Sequence, residues 1–254
     1  SRVLGITLTK RANGSASHIE LAGFPHHSVD TYLHKLVKAG YRVAICDQLE
    51  DPKTVKGIVK RGVTELVTPG VATNDKLLEN KTNNFLAALY LTDTICGVSF
   101  LDISTGELYT AQGNAEYMDK LLQSFQPSEV ILSRQQQKRF KENFDSRVYT
   151  FQLEDWIFQD QYAYDLLLQH FQTQSLKGYG IEDMRAAIIA AGAALHYLKD
   201  TEHINLQHIN TIQRIVADDF LWMDRFTIRN LELVSSSDEN GCCLLQTLDN
   251  TCTP

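Results

Sequence analysis

The sequence predicts an α/β protein of several domains: a small mixed α/β unit, a larger α/β domain and a final helical segment. Three observations lead to this prediction. Residues 1–73 alternate strand-like and helix-like stretches, and residues 85–178 open with a hairpin before helices alternate with strands. A stretch that is apolar almost all round then follows residue 178, as in a helix buried among other helices.

The first unit is predicted to contain strands at residues 3–9, 41–48 and 63–67, because these stretches are rich in β-branched and apolar residues. Residues 30–39 carry apolar side chains at helical spacing. Gly40 follows this stretch directly, and glycine is a common helix stop.

Residues 74–84 are polar and are predicted to be a linker, and residues 85–178 form the second domain. Its first strands meet at a tight turn, Ser104-Thr105-Gly106, whose residues suit a hairpin. The predicted elements are strands at 85–91, 94–103, 107–111, 129–132 and 147–151, and helices at 115–125, 135–144 and 160–171.

Residues 179–254 are predicted to begin an all-helical domain, with its most apolar helix at 184–198. Residues 201–210 are polar and contain His203 and His208, which fits a solvated connection. The remaining predicted elements are extended stretches at 212–216 and 220–223 and helices at 224–233 and 242–248.

Charge is distributed unevenly along the chain. Residues 1–73 hold ten Lys and Arg against six Asp and Glu, a net charge of +4, whereas the whole chain carries −7. Residues 74–254 therefore carry −11. This polarity favours an anionic partner for the basic end, although scattered surface lysines are the simpler alternative.

Composition favours a cytoplasmic globular protein. Hydrophobic residues make up 43% and charged residues 22%, and no apolar run reaches the roughly 18 residues of a membrane span. The five cysteines are odd in number and form no CxxC pair, which argues against a disulfide scaffold or a zinc site. We expect a reducing compartment and no membrane partner.

Several sequence blocks are spread in a fixed order and spacing over nearly the whole chain. They are Leu8-Thr9-Lys10-Arg11, Ala22-Gly23-Phe24-Pro25-His26-His27, Val43-Ala44-Ile45-Cys46-Asp47-Gln48, Val67-Thr68-Pro69-Gly70, Leu101-Asp102-Ile103-Ser104-Thr105-Gly106, Gly178-Tyr179-Gly180, Arg229-Asn230-Leu231-Glu232-Leu233 and Leu248-Asp249-Asn250-Thr251-Cys252-Thr253-Pro254. Together they resemble the MutS DNA mismatch-repair family. The agreement in order and spacing makes the resemblance specific, since any one block alone would be a weak signal.

The resemblance implies an N-terminally truncated mismatch-binding domain at residues 1–73 and a connector domain with an RNase-H-like fold at 85–178. Residues 179–254 would be the start of the helical core and lever region. Family members form dimers that clamp mispaired double-stranded DNA and couple this to ATP and Mg²⁺, and we expect a bacterial, nucleoid-associated location. A repair-protein partner on the connector domain is a further expectation.

Two family features lie outside this sequence, so we expect the chain to be an internal piece of a longer protein. The Phe-x-Glu mismatch reader would precede Ser1, and the sequence contains no GxxxxGK[ST] phosphate loop. This piece is therefore expected to hold no cofactor and to be no enzyme itself. A smaller departure is Glu20, which stands where the family often has Pro and would face phosphates unfavourably.

Four residues are candidate DNA contacts. Lys10 and Arg11 lie at a strand end before a Gly- and Ser-rich segment, where cations can follow a phosphate backbone at close range. Leu21 and His27 flank the Gly23-Phe24-Pro25 loop and are candidates for proximity to the minor groove. The alternatives are a solvated strand end for the cations and a loop-ordering role for His27. No metal ligands are expected.

Two other functions stay open for the middle domain. An RNase-H-like fold can hold acidic residues that bind Mg²⁺ and cut nucleic acid, with Asp102 and Glu107 as the candidates. This pair also brackets the Ser104-Thr105-Gly106 turn, so a bond from Asp102 to turn amides is the preferred interpretation. The second alternative is a docking or scaffold module, because the acidic balance suits a basic partner surface.

Overall fold

The structure is a computed structural model that describes residues 1–13, 17–51, 57–71, 83–144, 148–201, 206–216, 223, 225–234, 236 and 241–249. Its strands are β1 (Leu8–Asn13), β2 (Ser17–Ala22), β3 (Val43–Gln48), β4 (Arg61–Val67), β5 (Phe85–Leu91), β6 (Cys96–Asp102), β7 (Leu108–Gly113), β8 (Glu129–Ser133), β9 (Thr150–Leu153) and β10 (Gln213–Arg214). Its α-helices are α1 (Val29–Lys38), α2 (Ala115–Phe125), α3 (Gln137–Asn143), α4 (Asp160–Phe171), α5 (Arg185–Asp200), α6 (Arg225–Asn230) and α7 (Leu244–Leu248). The fold is mixed α/β, as predicted.

Residues 1–71, here called the amino-terminal region, contain two antiparallel ribbons, β1–β2 and β3–β4. Helix α1 packs Leu33 and Val37 against Val67, the last residue of β4. The predicted strand at 3–9 is displaced, because Gly5 adopts a positive φ of 65° and the chain turns there before β1 starts. Strand β2 was not predicted, while β3 and β4 lie where the sequence indicates.

A six-stranded sheet in the order β10–β7–β6–β5–β8–β9 forms the centre of the molecule. Strands β5, β6 and β7 pair antiparallel, and β8 and β9 continue the sheet in parallel. The antiparallel part follows from two close turns, of which the second has Gly106 at φ 78°. The parallel part requires the α2 and α3 crossovers between strands.

Both faces of this sheet are covered, because alternate residues of a strand point to opposite sides. Leu86 and Ala88 of β5 pack on the side that holds α4 and α5. Ala87 and Leu89 pack on the other side, with α2 and α3. All seven residues of β6 are buried, which explains why its sequence is almost continuously apolar.

Helix α5 lies unusually close to the sheet and to its neighbouring helix. A Cβ atom at Gly97 would stand 2.1 Å from the carbonyl carbon and oxygen of Ala186. A Cβ at Gly192 would stand 2.5 Å from the Cβ of Ala163 on α4. The backbone N–H of Ala186 donates to the side-chain oxygen of Gln112 on β7 (2.9 Å), which satisfies an otherwise unpaired group in the first turn.

The last part of the chain is not all-helical, because β10 pairs in parallel with β7, and this strand lies within the extended stretch predicted at 212–216. Within the connection predicted at 201–210, residues 206–210 are less solvated than expected, because Leu206 and Ile209 are buried and the His208 ring nitrogen lies 2.7 Å from the carbonyl oxygen of Ile103. A backbone carbonyl at the end of the sheet thus holds this connection. His203 and residues 74–82 of the predicted linker at 74–84 lie outside the described residues.

Across the described ranges, the structure contains no helix with the length and apolar character needed to cross a membrane.

The close approach of α5 predicts that Gly97→Ala destabilises the chain by about 1–3 kcal/mol, because the methyl group would overlap backbone rather than a mobile side chain. Urea denaturation measures the effect. Gly178→Ala is the matched control, since no atom lies within 4 Å of a Cβ there, and its effect should stay within about 0.5 kcal/mol. Equal effects of the two substitutions would contradict the close packing.

Candidate nucleic-acid interface

The β1–β2 ribbon holds three of the four predicted contact residues. Leu8 pairs with Ala22, Lys10 with Glu20, and Arg11 with Ile19 across the ribbon. The hydroxyl of Thr9 donates to the carbonyl oxygen of Leu21 (2.8 Å) and ties the strands together. The ribbon is thus a regular platform whose register fixes which residues share a face.

One face of the ribbon carries Lys10 directly opposite Glu20, and both are exposed. Cross-strand partners have Cβ atoms about 5 Å apart, so the carboxylate offsets part of the lysine's positive charge. The carboxylate that the sequence predicts to repel phosphates therefore lies on the same face as Lys10. The charges of these two residues leave that face close to neutral.

The opposite face carries Thr9, Ile19 and Leu21, because neighbouring residues of a strand alternate sides. Ile19 is 51% exposed and Leu21 48% exposed. Lys10 and Leu21 therefore lie on opposite faces and are not brought together. Arg11 occupies a register position across from Ile19, and its side chain lies outside what the structure describes.

The Gly23–Pro25 loop leads from the ribbon to α1 and is held by an aromatic contact. The Phe24 and Tyr32 rings have centroids 4.4 Å apart, and the Lys35 ammonium lies 5.7 Å from the Tyr32 ring centroid. At Gly23 a Cβ would meet no atom within 4 Å, so the loop surface is open.

His27 follows this loop in a single 3₁₀ turn, His26–Ser28, and is exposed like its neighbour His26. It lies one turn from the start of α1, beyond the end of the ribbon. Of the four predicted contact residues, His27 is therefore the one that the ribbon does not hold.

The basic loop of residues 53–61 joins β3 to β4. Residues 52–56 lie outside the described part, while Lys60 and Arg61 are exposed at the base of the loop. The Lys60 backbone N–H donates to a carboxylate oxygen of Glu50 (3.1 Å), and its carbonyl oxygen accepts from the Leu49 N–H (2.9 Å). Both cations at the base of this loop are therefore open to solvent.

Asp102, one of the two candidate nuclease residues, is fully buried and binds its own turn as predicted. Its Oδ1 accepts from the Ser104 N–H (2.8 Å), the Ser104 hydroxyl (2.6 Å) and the Thr105 N–H (3.4 Å), and its Oδ2 accepts from the Asn84 N–H (3.0 Å). Hydrogen-bond donors thus occupy both oxygens. In the portion of the chain that is described, no three His, Cys, Asp or Glu residues are grouped so as to hold a metal ion.

Family comparisons agree with the two structural regions. A family model described as MutS domain I matches residues 1–76, and one described as MutS domain II matches residues 84–210. The chain belongs to the MutS family.

Individual relatives match over the full chain. It is 61% identical to a DNA mismatch repair protein MutS of Cytophaga hutchinsonii and 59% identical to one of Flavobacterium psychrophilum, in each case over 254 residues. Each alignment covers 100% of this chain, but only 30% of the Cytophaga hutchinsonii protein and 29% of the Flavobacterium psychrophilum protein. The chain therefore spans less than a third of the MutS proteins that it matches.

Sequence reasoning missed two features of this MutS chain that matter for the interface. Strand β2 begins at the end of the Gly- and Ser-rich segment and was not predicted, although Ile19 and Leu21 already showed the alternation of a strand. The contacts that join the amino-terminal region to the central sheet were also missed, because they pair residues far apart in the chain.

The geometry around Asp102 predicts that Asp102→Ala destabilises the chain by roughly 1–3 kcal/mol, since the donors of Ser104, Thr105 and Asn84 lose the buried carboxylate that anchors them. Chemical denaturation monitored by far-UV circular dichroism checks this. The matched control Asp183→Ala removes an exposed carboxylate and should change stability little. A variant at Asp102 as stable as the control would contradict the turn-anchoring role.

Proposed function

We propose that this chain is the part of a MutS-type mismatch-repair protein that contacts duplex DNA through its amino-terminal region. The observation that carries the proposal is the exposed β1–β2 ribbon, with Lys10 on one face and uncovered apolar residues on the other, within the segment that matches MutS domain I. A two-stranded ribbon with an open glycine loop beside it can approach a nucleic-acid backbone closely.

The contacts proposed are Arg11 and Lys10 to phosphates and Leu21 and His27 near the minor groove. Phosphate contacts position a protein without reading sequence, whereas apolar side chains act at base steps of the minor groove. Lys10 and Leu21 lie on opposite ribbon faces, so a single flat approach cannot serve both. We infer that the ribbon presents an edge to the duplex.

The same proposal extends to the complete protein. Its relatives are named DNA mismatch repair proteins MutS, which supports binding of mispaired DNA by a dimer that hydrolyses ATP through regions beyond this chain. The mixed order of the central sheet supports an RNase-H-like connector at residues 85–178. A nuclease role is disfavoured because Asp102 is engaged by its own turn.

Binding is predicted to depend steeply on salt and not on sequence. Affinity for a fluorescent duplex, measured by anisotropy, should fall when the salt concentration is raised from about 50 to 200 mM, because the release of counterions from DNA is less favourable at higher salt. Arg11→Ala should weaken binding equally for all duplex sequences and flatten the log–log salt slope by about 0.9. Lys177→Ala, which removes an exposed cation from the acidic part of the chain, is the control.

Two results would contradict these expectations. Equal affinity at the two salt concentrations would remove the phosphate-contact hypothesis altogether. A loss in Arg11→Ala that is confined to one sequence context would instead assign this residue to base readout.

Glu20 yields an independent prediction because it stands directly across from Lys10. Glu20→Gln should strengthen duplex binding about twofold to fivefold at low salt, because it removes a negative charge that repels the DNA phosphates. The effect should be modest, since exposed charges interact weakly in water and are screened by salt. Asp183→Asn neutralises an exposed carboxylate outside the amino-terminal region and should leave the affinity unchanged. Tightening by both variants alike would indicate only a net-charge effect, and no tightening by Glu20→Gln would place Glu20 away from the DNA.

A further inference from the structure

A single buried carboxylate joins three parts of the chain. Glu129, the first residue of β8, accepts from the Thr68 hydroxyl (2.5 Å) and the Gly70 N–H (3.1 Å) at the end of the amino-terminal region. It also accepts from the Tyr197 hydroxyl of α5 (2.7 Å). Glu129, Thr68 and Tyr197 are all fully buried. The three donors thus reach one acceptor from separate elements.

The junction is close as well as polar. A Cβ atom at Gly70 would lie 2.8 Å from the Cβ of Glu129 and 2.8 Å from Cδ1 of Leu86. The side-chain amide of Asn84 donates to the carbonyl oxygen of Pro69 (3.0 Å), which adds a second tie between the same two regions. A larger side chain at position 70 would therefore have to displace Glu129 and Leu86.

An arginine from the amino-terminal region reinforces this junction. The guanidinium carbon of Arg42, which directly precedes β3, lies 3.6 Å from the Phe151 ring centroid and 5.5 Å from that of Tyr197. The Phe151 and Tyr197 rings are themselves 5.6 Å apart. A guanidinium stacked on aromatic faces is favourable when it is shielded from water.

Tyr197 connects the two sets of contacts. Its ring lies beside Arg42, and its hydroxyl donates to Glu129. Burial, followed by the negative charge of Glu129, raises the pKa of Tyr197 well above its usual value, so the hydroxyl stays a donor. Helix α5 therefore takes part in holding the amino-terminal region.

We propose that Glu129, Thr68, Gly70, Tyr197 and Arg42 form an interdomain latch that holds the amino-terminal region in one orientation relative to the central sheet. Buried polar groups that lose their partner are costly, so few other orientations satisfy all five residues. Strand β4 ends at Val67, one residue before the latch, and the latch thereby sets the direction of β4 and of its partner β3.

An interdomain distance measurement tests the latch without DNA. Spin labels attached through Thr31→Cys on α1 and Ser124→Cys on α2, both exposed positions, report the distance by pulsed electron resonance. Cys46, Cys242 and Cys252 are first changed to Ser. The double variant Arg42→Ala/Thr68→Val should broaden the distance distribution at least about twofold, while the control Arg61→Ala, an exposed cation of the same region, should keep it narrow. A distribution as narrow as the control would overturn the proposal.

A milder variant pair keeps the proposal testable if the double variant does not fold. Thr68→Val and Tyr197→Phe each remove one hydroxyl with little change in volume. Because both donate to Glu129, their effects on the unfolding equilibrium constant should deviate from additivity by at least about threefold. Strict additivity would mean that the two groups do not act through a shared acceptor. Neither result depends on DNA binding, so failure of the latch and failure of the proposed function are distinguishable.

Discussion

The packing of α5 against the central sheet is the constraint on which the other features depend. Gly97 lets the backbone of α5 approach β6, and Gly192 lets α4 approach α5 from the other side. Once α5 lies in this position, its later turns carry Tyr197 to Glu129. The end of the amino-terminal region is bound at that same carboxylate. A helix buried on the central sheet thus shares its hydrogen-bond acceptor with the end of the amino-terminal region.

The amino-terminal region and the rest of the chain differ in net charge and in how much of their apolar surface is buried. The amino-terminal region is basic overall, and its ribbon leaves Ile19 and Leu21 uncovered. The remainder is acidic, and β5 and β6 at the middle of its sheet are almost entirely buried. In the proposed DNA contact, Glu20 would lower the positive charge that the ribbon presents to phosphates.

Sequence reasoning succeeded where local patterns decide the structure. Helices α2 and α4 begin and end at the predicted residues, because each has an apolar stripe and a left-handed residue, Gln126 or Gln172, directly after its last turn. It failed where a single residue or a distant partner decides. At Gly5 a positive φ places a turn where a strand was predicted. The His208 ring bonds to the backbone carbonyl oxygen of Ile103, which is distant in the sequence.

The latch lies beyond any local pattern. Glu129 looks like the first residue of an ordinary strand, and its partners are 61 residues before it and 68 residues after it in the chain. Family resemblance identified the Val67-Thr68-Pro69-Gly70 block without explaining it. The structure supplies a reason for two of its residues, because Thr68 and Gly70 both donate to the same buried carboxylate.

Amide hydrogen exchange of this chain with and without a short duplex tests the central claim most directly. Contact through the amino-terminal region should slow exchange on DNA binding in residues 8–27, which hold the β1–β2 ribbon and the following loop, and should leave exchange in α2 and α3 on the acidic domain unchanged. Slower exchange restricted to α2 and α3, with residues 8–27 unaffected, would contradict it.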